Sequence, residues 1–249
     1  MTKREYGGRG LAGILTPQSN TTVEAEFAVL MEPDVACASA RLNCPSQDSR
    51  ERLLSYWTNM RGTLAQFDEA PLDVAAFACT GSTYLVGLEA ERAAFETIRP
   101  PVHSAAGATL EALRALGARR IAILSPYSSW LTEACVAFWQ AQSLEVVEVA
   151  SPPGERADSR AIYALRTGDA LATLRKLDVA RADAVLITGT GMPSLGAITQ
   201  ARLARPVVSS NLCLAWRVSQ TFGRSAIEDW LAPDAGWRAR YAARYPSLQ

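Results

Sequence analysis

Along the chain, short unbroken apolar runs alternate with longer stretches in which apolar residues return every three or four positions. Leu11–Leu15, Val35–Ala38, Leu72–Ala78, Arg120–Leu124, Leu144–Val149, Ala184–Ile187 and Pro206–Val208 have the length and composition of buried strands. Val23–Met31, Ser49–Phe67 and Trp130–Gln142 read as helices, and another is predicted from about Thr83 onward. Continuous apolar strands spaced by helices predict an α/β fold with parallel sheets covered on both faces.

The alternation also repeats. Gly13-Ile14-Leu15-Thr16-Pro17 matches Ala122-Ile123-Leu124-Ser125-Pro126 at an offset of 109. Asp73–Gly81 matches Asp183–Gly191 at an offset of 110, and Pro101–Ser104 matches Pro206–Ser209 at an offset of 105. Three strand-to-loop junctions recurring in one order imply two similar lobes. The expected division is residues 1–107 plus 212–249 for the first lobe, carrying Cys79, and 108–211 for the second, carrying Tyr127 and Gly189. In open α/β sheets ligands bind beyond the carboxyl ends of the strands. Lobes related by a pseudo-twofold axis would therefore turn the loops Thr16–Asn20, Cys79–Ser82, Ser125–Ser129 and Gly189–Met192 toward one cleft.

Composition narrows the chemistry. The 249 residues carry no net charge, so neither nucleic acid nor a membrane surface is an expected partner. No apolar run approaches the roughly 20 residues that span a bilayer, and residues 1–10 lack the apolar core of a signal peptide. Five cysteines, an odd number without a Cys-x-x-Cys pair, argue for reduced thiols and a cytoplasmic location rather than a disulfide framework or a zinc site. A single histidine, His103, leaves little room for a Ser-His-Asp triad or a multi-histidine metal centre. No metal and no cofactor are expected.

The residues that could carry chemistry sit at the strand ends. Cys79 lies between a buried strand and a helix, where the helix N-terminus favours a thiolate. The backbone N–H groups of Thr80, Gly81 and Ser82 form a nest for a carboxylate or an enolate oxygen. The plainer reading, a small buried thiol that only packs, stays open beside it. Cys37, Cys44, Cys135 and Cys213 read as packing or loop residues. Tyr127 is either a packed ring or a hydrogen-bond donor to a substrate oxyanion. Asn20 is either a helix N-cap or a carboxamide that grips a carboxylate. His103 reads as a structural residue. Gly189-Thr190-Gly191 imitates a dinucleotide fingerprint, but its next glycine is Gly196 and no acidic partner follows, so nucleotide binding is not expected.

These loops resemble the aspartate/glutamate racemase superfamily, most closely its maleate cis-trans isomerase branch, from Gly10 to about Gly223. Pro17-Gln18-Ser19-Asn20-Thr21-Thr22-Val23-Glu24 is similar to that branch's Pro-Ser-Ser-Asn-Thr-Thr-x-Glu loop. Ala78–Ser82 is similar to the loop of its first cysteine, Ser125-Pro126-Tyr127 to its Thr-Pro-Tyr, and Met192–Leu195 to its Met-Pro-Ser-Leu. Ser209-Ser210-Asn211 with Trp216 resembles its closing motif. The resemblance implies cofactor-free isomerisation of a maleate-like dicarboxylate. The Cys79 thiolate would add to the double bond, the adduct would rotate, and elimination would release the trans isomer. Tyr127 and Asn20 would hold a carboxylate, helped by Thr80, Gly81, Ser159, Gly189 and Thr190.

Two departures stand out. The branch's second cysteine falls on Gly189, which removes the paired thiols that racemisation needs. Its Asp-Asn pair resembles Asp158-Ser159. The rival resemblance is to the arylmalonate decarboxylase branch, whose one cysteine occupies the second-lobe position. It implies loss of carbon dioxide from a substituted malonate with Cys79 as proton donor, and Gly189 would widen the cleft for a bulkier acid. A third reading, from outside catalysis, is a small-carboxylate binding protein. Related isomerases are often dimeric, so a homodimer is the expected assembly.

Overall fold

Each half of the chain builds its own sheet. The computed structural model describes residues 4–154, 158–223 and 225–248, and for Ser159 the backbone alone. The first half runs β1 (Gly10–Pro17), α1 (Thr22–Leu30), β2 (Val35–Leu42), α2 (Ser49–Thr58), α3 (Met60–Leu64), β3 (Val74–Phe77), α4 (Thr80–Val86), α5 (Leu88–Glu96), β4 (Val102–Ser104) and α6 (Ala105–Ala115). The second runs β5 (Arg120–Leu124), α7 (Ser129–Ala141), β6 (Glu145–Ala150), a 3-10 helix (Ser159–Ala164), α8 (Thr167–Leu174), β7 (Ala184–Ile187), α9 (Leu195–Gln200), β8 (Val207–Ser209) and α10 (Ser210–Ser219). Two closing helices follow, α11 (Ile227–Leu231) and α12 (Gly236–Arg244).

Both sheets are parallel, in the orders β2-β1-β3-β4 and β6-β5-β7-β8, so the second copies the first. The internal strands β3 and β7 are buried throughout, which is why their sequences are apolar without alternation. The copying extends to local devices. Asp73 accepts the N–H of Leu11 through its carboxylate, and Asp183 accepts that of Arg120. Ser104 caps α6 by accepting the N–H of Gly107, and Ser209 caps α10 by accepting that of Leu212.

Register carries the symmetry to the strand ends. Leu15 pairs with Phe77 in the first sheet and Leu124 with Ile187 in the second. The N–H of Ala78 then donates to the Leu15 carbonyl, and that of Thr188 to Leu124. Cys79 and Gly189 are the next residues, at equivalent points of the two carboxyl edges.

The halves are pinned by buried polar contacts. Glu26 of α1 accepts the Ser194 and Leu195 N–H groups at 2.5 and 3.1 Å and the Asn211 amide at 2.8 Å. Burial pushes its carboxyl above the usual range, opposed by these donors. From α4, Tyr84 bonds Thr188 at 2.6 Å and packs edge-on to Tyr127.

The structure departs from the periodicity in three places. The helix expected over Ser49–Phe67 breaks at Asn59 into α2, α3 and a 3-10 turn, Ala65–Phe67. The helix expected from about Thr83 starts at Thr80, making Cys79 its N-cap residue. Strand β2 continues to Leu42 because β1 pairs with it as far as Pro17. Among the described residues no helix is long and apolar enough to cross a membrane.

Candidate active site

The chain leaves β1 for β2 on one side and returns to β3 on the other, so a crevice opens between the ends of β1 and β3. Cys79 stands there, 4% exposed, at the first turn of α4. The N–H groups of Gly81 and Ser82 point at its sulfur and favour the thiolate. Burial is the larger effect, and it pushes the thiol above its ordinary range. The resting thiolate expected from the helix N-terminus is therefore corrected: buried as it is, Cys79 is a neutral thiol. Ser82 agrees with this. Its only proton goes to the Leu53 carbonyl at 2.7 Å, so in the 3.1 Å contact between Cys79 and Ser82 the thiol is the donor. To support a thiolate, the Ser82 hydroxyl must swing from Leu53 to the sulfur.

Across the crevice, the Tyr127 hydroxyl meets the Thr80 hydroxyl at 2.5 Å. Burial pushes the Tyr127 phenol well up, so it stays protonated. One of the two hydroxyl protons lies between the oxygens, and the Tyr127 hydroxyl also interacts with that of Thr188. Gly189 lies beside them with φ +87, a left-handed conformation that suits glycine. A Cβ built there would stand 3.1 Å from the Tyr127 oxygen and 3.0 Å from Pro126 Cγ. Gly189 therefore does not widen the cleft, because Tyr127 fills the space beside it. Gly189→Ala is accordingly expected to lose about 1–3 kcal/mol from backbone strain and crowding, seen as a melting temperature lower by at least ~2 °C. An unchanged melting temperature would mean that the loop relaxes without cost.

The remaining predicted residues separate into two sets. Thr80, Gly81 and Thr190 line the cavity with Cys79 and Tyr127. Asn20 is buried behind them. Its carbonyl oxygen accepts the N–H groups of Thr22 and Val23, and its amide donates to the Thr190 hydroxyl at 3.1 Å. Thr190 passes its own proton to the Ala78 carbonyl at 2.9 Å, so its hydroxyl is committed to the scaffold. The Ser159 backbone opens the 3-10 helix, while its side chain lies outside the described residues. His103 is in β4, away from the cavity, and burial together with Arg217 lowers it to about 4. At Gly191 an added Cβ would fall 2.5 Å from the Tyr163 ring, so the glycine run packs on protein and has no opening for a pyrophosphate. Among the described residues no group of histidine, cysteine and acidic side chains has the arrangement of a metal site.

The cavity itself is narrow, about 30 Å³, room for about two waters. Beyond the predicted residues it is lined by Arg52, Tyr56 and Tyr163 and by apolar Leu53, Leu131 and Ile162. Reasoning from loops missed these because they come from helices. A signal was present: Arg52, Leu53 and Tyr56 share one face of α2, and an arginine on an apolar face asks for a reason.

Three comparisons bear on this site. The family model described as arylmalonate decarboxylase matches residues 79–230. A maleate isomerase of Geobacillus stearothermophilus is 28% identical over 226 residues, covering 83% of this chain and 89% of that protein. The crystal structure of the maleate isomerase Iso from Pseudomonas putida S16 superposes with a TM-score of 0.77 at 26% identity, covering 85% of this chain and 92% of that one. A cysteine-to-serine variant of the Nocardia farcinica maleate cis-trans isomerase, which holds a covalently bound succinylcysteine intermediate, gives 0.73 at 26% identity, with coverage of 85% and 92%.

Proposed function

The chain belongs to the arylmalonate decarboxylase family, and from that membership we propose that it is a cofactor-independent isomerase converting a maleate-like cis-enedioate to its trans form through a Cys79 adduct. The observation that carries this reading is the cavity floor, where one thiol, two N–H groups aimed at it and the Thr80–Tyr127 hydroxyl pair converge. The succinylcysteine of the Nocardia farcinica relative supports a sulfur–carbon bond as the intermediate.

The steps follow from these groups. The thiol releases its proton to solvent and Ser82 turns to the sulfur. Sulfur then bonds one alkene carbon, and the π electrons move into the carboxylate on the other carbon as an enediolate. The former double bond is now single and rotates. The electrons return, the carbon–sulfur bond breaks, and the trans diacid leaves. No proton need be added to carbon, so Gly189 can stand where a second thiol would otherwise serve. Thr80 and Tyr127 donate to the enediolate oxygen, where charge develops. Asn20 acts by holding Thr190, which lines the cavity, and Gly81 supplies an N–H to the sulfur.

A second reading, decarboxylation of a substituted malonate, is favoured by the resting thiol, which is already the proton donor that reaction needs. A cavity this narrow must open for either acid, and by less for the smaller one. The pH dependence divides the two. Isomerisation needs the thiolate, and the Cys79 pKa is raised, so kcat/KM should rise about tenfold per unit between pH 7 and pH 9. A proton donor would give a profile level over that range and falling above it. Proton NMR following fumarate from maleate, beside carbon dioxide release from aryl- and alkylmalonates, tests the assignment itself. Binding of these acids without turnover of any would favour the non-catalytic reading.

The division into lobes at 1–107 plus 212–249 and 108–211 is proposed from the internal repeat, and the packing of α12 on α1 supports joining the last residues to the first lobe. A homodimer in the cytoplasm is proposed from the resemblance, and free cysteines at all five positions fit that compartment.

A further inference from the structure

Arg52 is the cation of the cavity wall. It is 1% exposed, although arginine is seldom buried without a partner or a task. Its Nη1 donates to the Ser46 and Gln47 carbonyls at 3.0 and 3.3 Å, and its Nη2 to the Ser49 hydroxyl at 3.2 Å and the Asp158 carboxylate at 2.8 Å. These bonds fix the guanidinium plane. Tyr56 and Tyr163 feel the charge, which lowers both phenols against the rise that burial causes, so the cation is close to the rings that line the cavity with it.

Asp158 is shared. It accepts Arg160 Nε and Nη2 at 2.9 and 2.5 Å and the Arg160 N–H at 2.7 Å, in addition to Arg52. If Asp158 gives up Arg52, it keeps its charge neutralised by Arg160. Another carboxylate can therefore replace it on Arg52 without leaving a bare buried anion behind. A cis-enedioate brings two carboxylates. The one that becomes the enediolate belongs at the Thr80–Tyr127 pair. On the reading of the site given above, the other needs a charged partner at the opposite end.

We infer that Arg52 is the specificity-determining residue that receives the second carboxylate of the substrate, exchanging Asp158 for it, so that the substrate class is small diacids with both carboxylates free, to the exclusion of monoacids and half-amides.

The test is calorimetric binding of succinate and of its half-amide succinamate, which are unreactive, to the full chain and to Arg52→Gln. The natural chain is expected to prefer succinate by about 10- to 100-fold, the worth of a charge-assisted pair. Arg52→Gln should lose succinate affinity by the same factor and change succinamate by less than about threefold, since the half-amide makes no such pair. Should Arg52→Gln fail to fold, Arg52→Lys replaces it, with at least a roughly tenfold loss for succinate expected because lysine lacks the planar fork. Equal affinity of the natural chain for the two ligands, equal weakening of both by Arg52→Gln, or unchanged succinate binding in Arg52→Lys would overturn the inference. Turnover of maleate is followed on the same samples. Loss of the diacid preference with fumarate still forming tells against Arg52 alone. An intact preference with no fumarate tells against isomerisation and leaves the Arg52 assignment standing.

Discussion

Cys79→Ala is expected to lower the rate of fumarate formation from maleate by at least about a thousandfold. Nothing else among the residues lining the cavity is a competent nucleophile at neutral pH. The phenols of Tyr56, Tyr127 and Tyr163 are all pushed up by burial, and the thiols Cys135 and Cys213 are held in helix interiors with pKa values pushed up to about 11 and about 12. The fold should survive. The sulfur's hydrogen-bond partner, Ser82, keeps its bond to the Leu53 carbonyl when the sulfur is gone. Proton NMR of the vinyl signals, with a melting curve on the same sample, checks both halves of the expectation. Cys79→Ser should be equally inactive, because a buried hydroxyl ionises far less readily than a thiol. Activity close to that of the natural chain in either variant would remove the adduct from the mechanism.

Tyr127→Phe should reduce kcat by about 10²–10³-fold with a much smaller change in KM. The ring would still pack against Tyr84, so the loss isolates the hydroxyl. That oxygen bonds Thr80 and fills the space beside Gly189, in the cavity that Cys79 also lines, where it can donate to an enediolate. Thr80→Val should produce a comparable loss. The double variant should then be little worse than either single one, because the two hydroxyls act as one donor. Steady-state kinetics on the three variants measures this. Fully multiplicative losses would indicate two independent donors.

The symmetric part of this fold was legible because it is local. Internal strands such as Val74–Phe77 and Ala184–Ile187 must be apolar on both faces, so their sequences declare them. An offset read between matching loops became a shared hydrogen-bond register in the structure. The protonation of Cys79 was not legible. It depends on how completely the cavity is closed, in part by Ile162 and Tyr163, which a short 3-10 helix brings in from 83 residues beyond Cys79 and further. Arg52 was hidden for the same reason. Its carboxylate partner is 106 positions away, and no spacing within α2 predicts Asp158. The break at Asn59 escaped because apolar spacing continues across it while the backbone changes direction. Asn20 stood between two readings, and the geometry favours the structural one, a cap on α1 and a brace for Thr190.

The central claim, that Cys79 bonds to carbon during the reaction, is tested most directly by acid quench. The protein is mixed with excess maleate, quenched within the first turnovers, digested and weighed by mass spectrometry. The peptide containing Cys79 should carry the mass of one added maleate, and the modification should be absent from peptides containing Cys37, Cys44, Cys135 and Cys213. Fumarate accumulating at full rate with Cys79 unmodified at every quench time, or the added mass appearing on another cysteine, would contradict it.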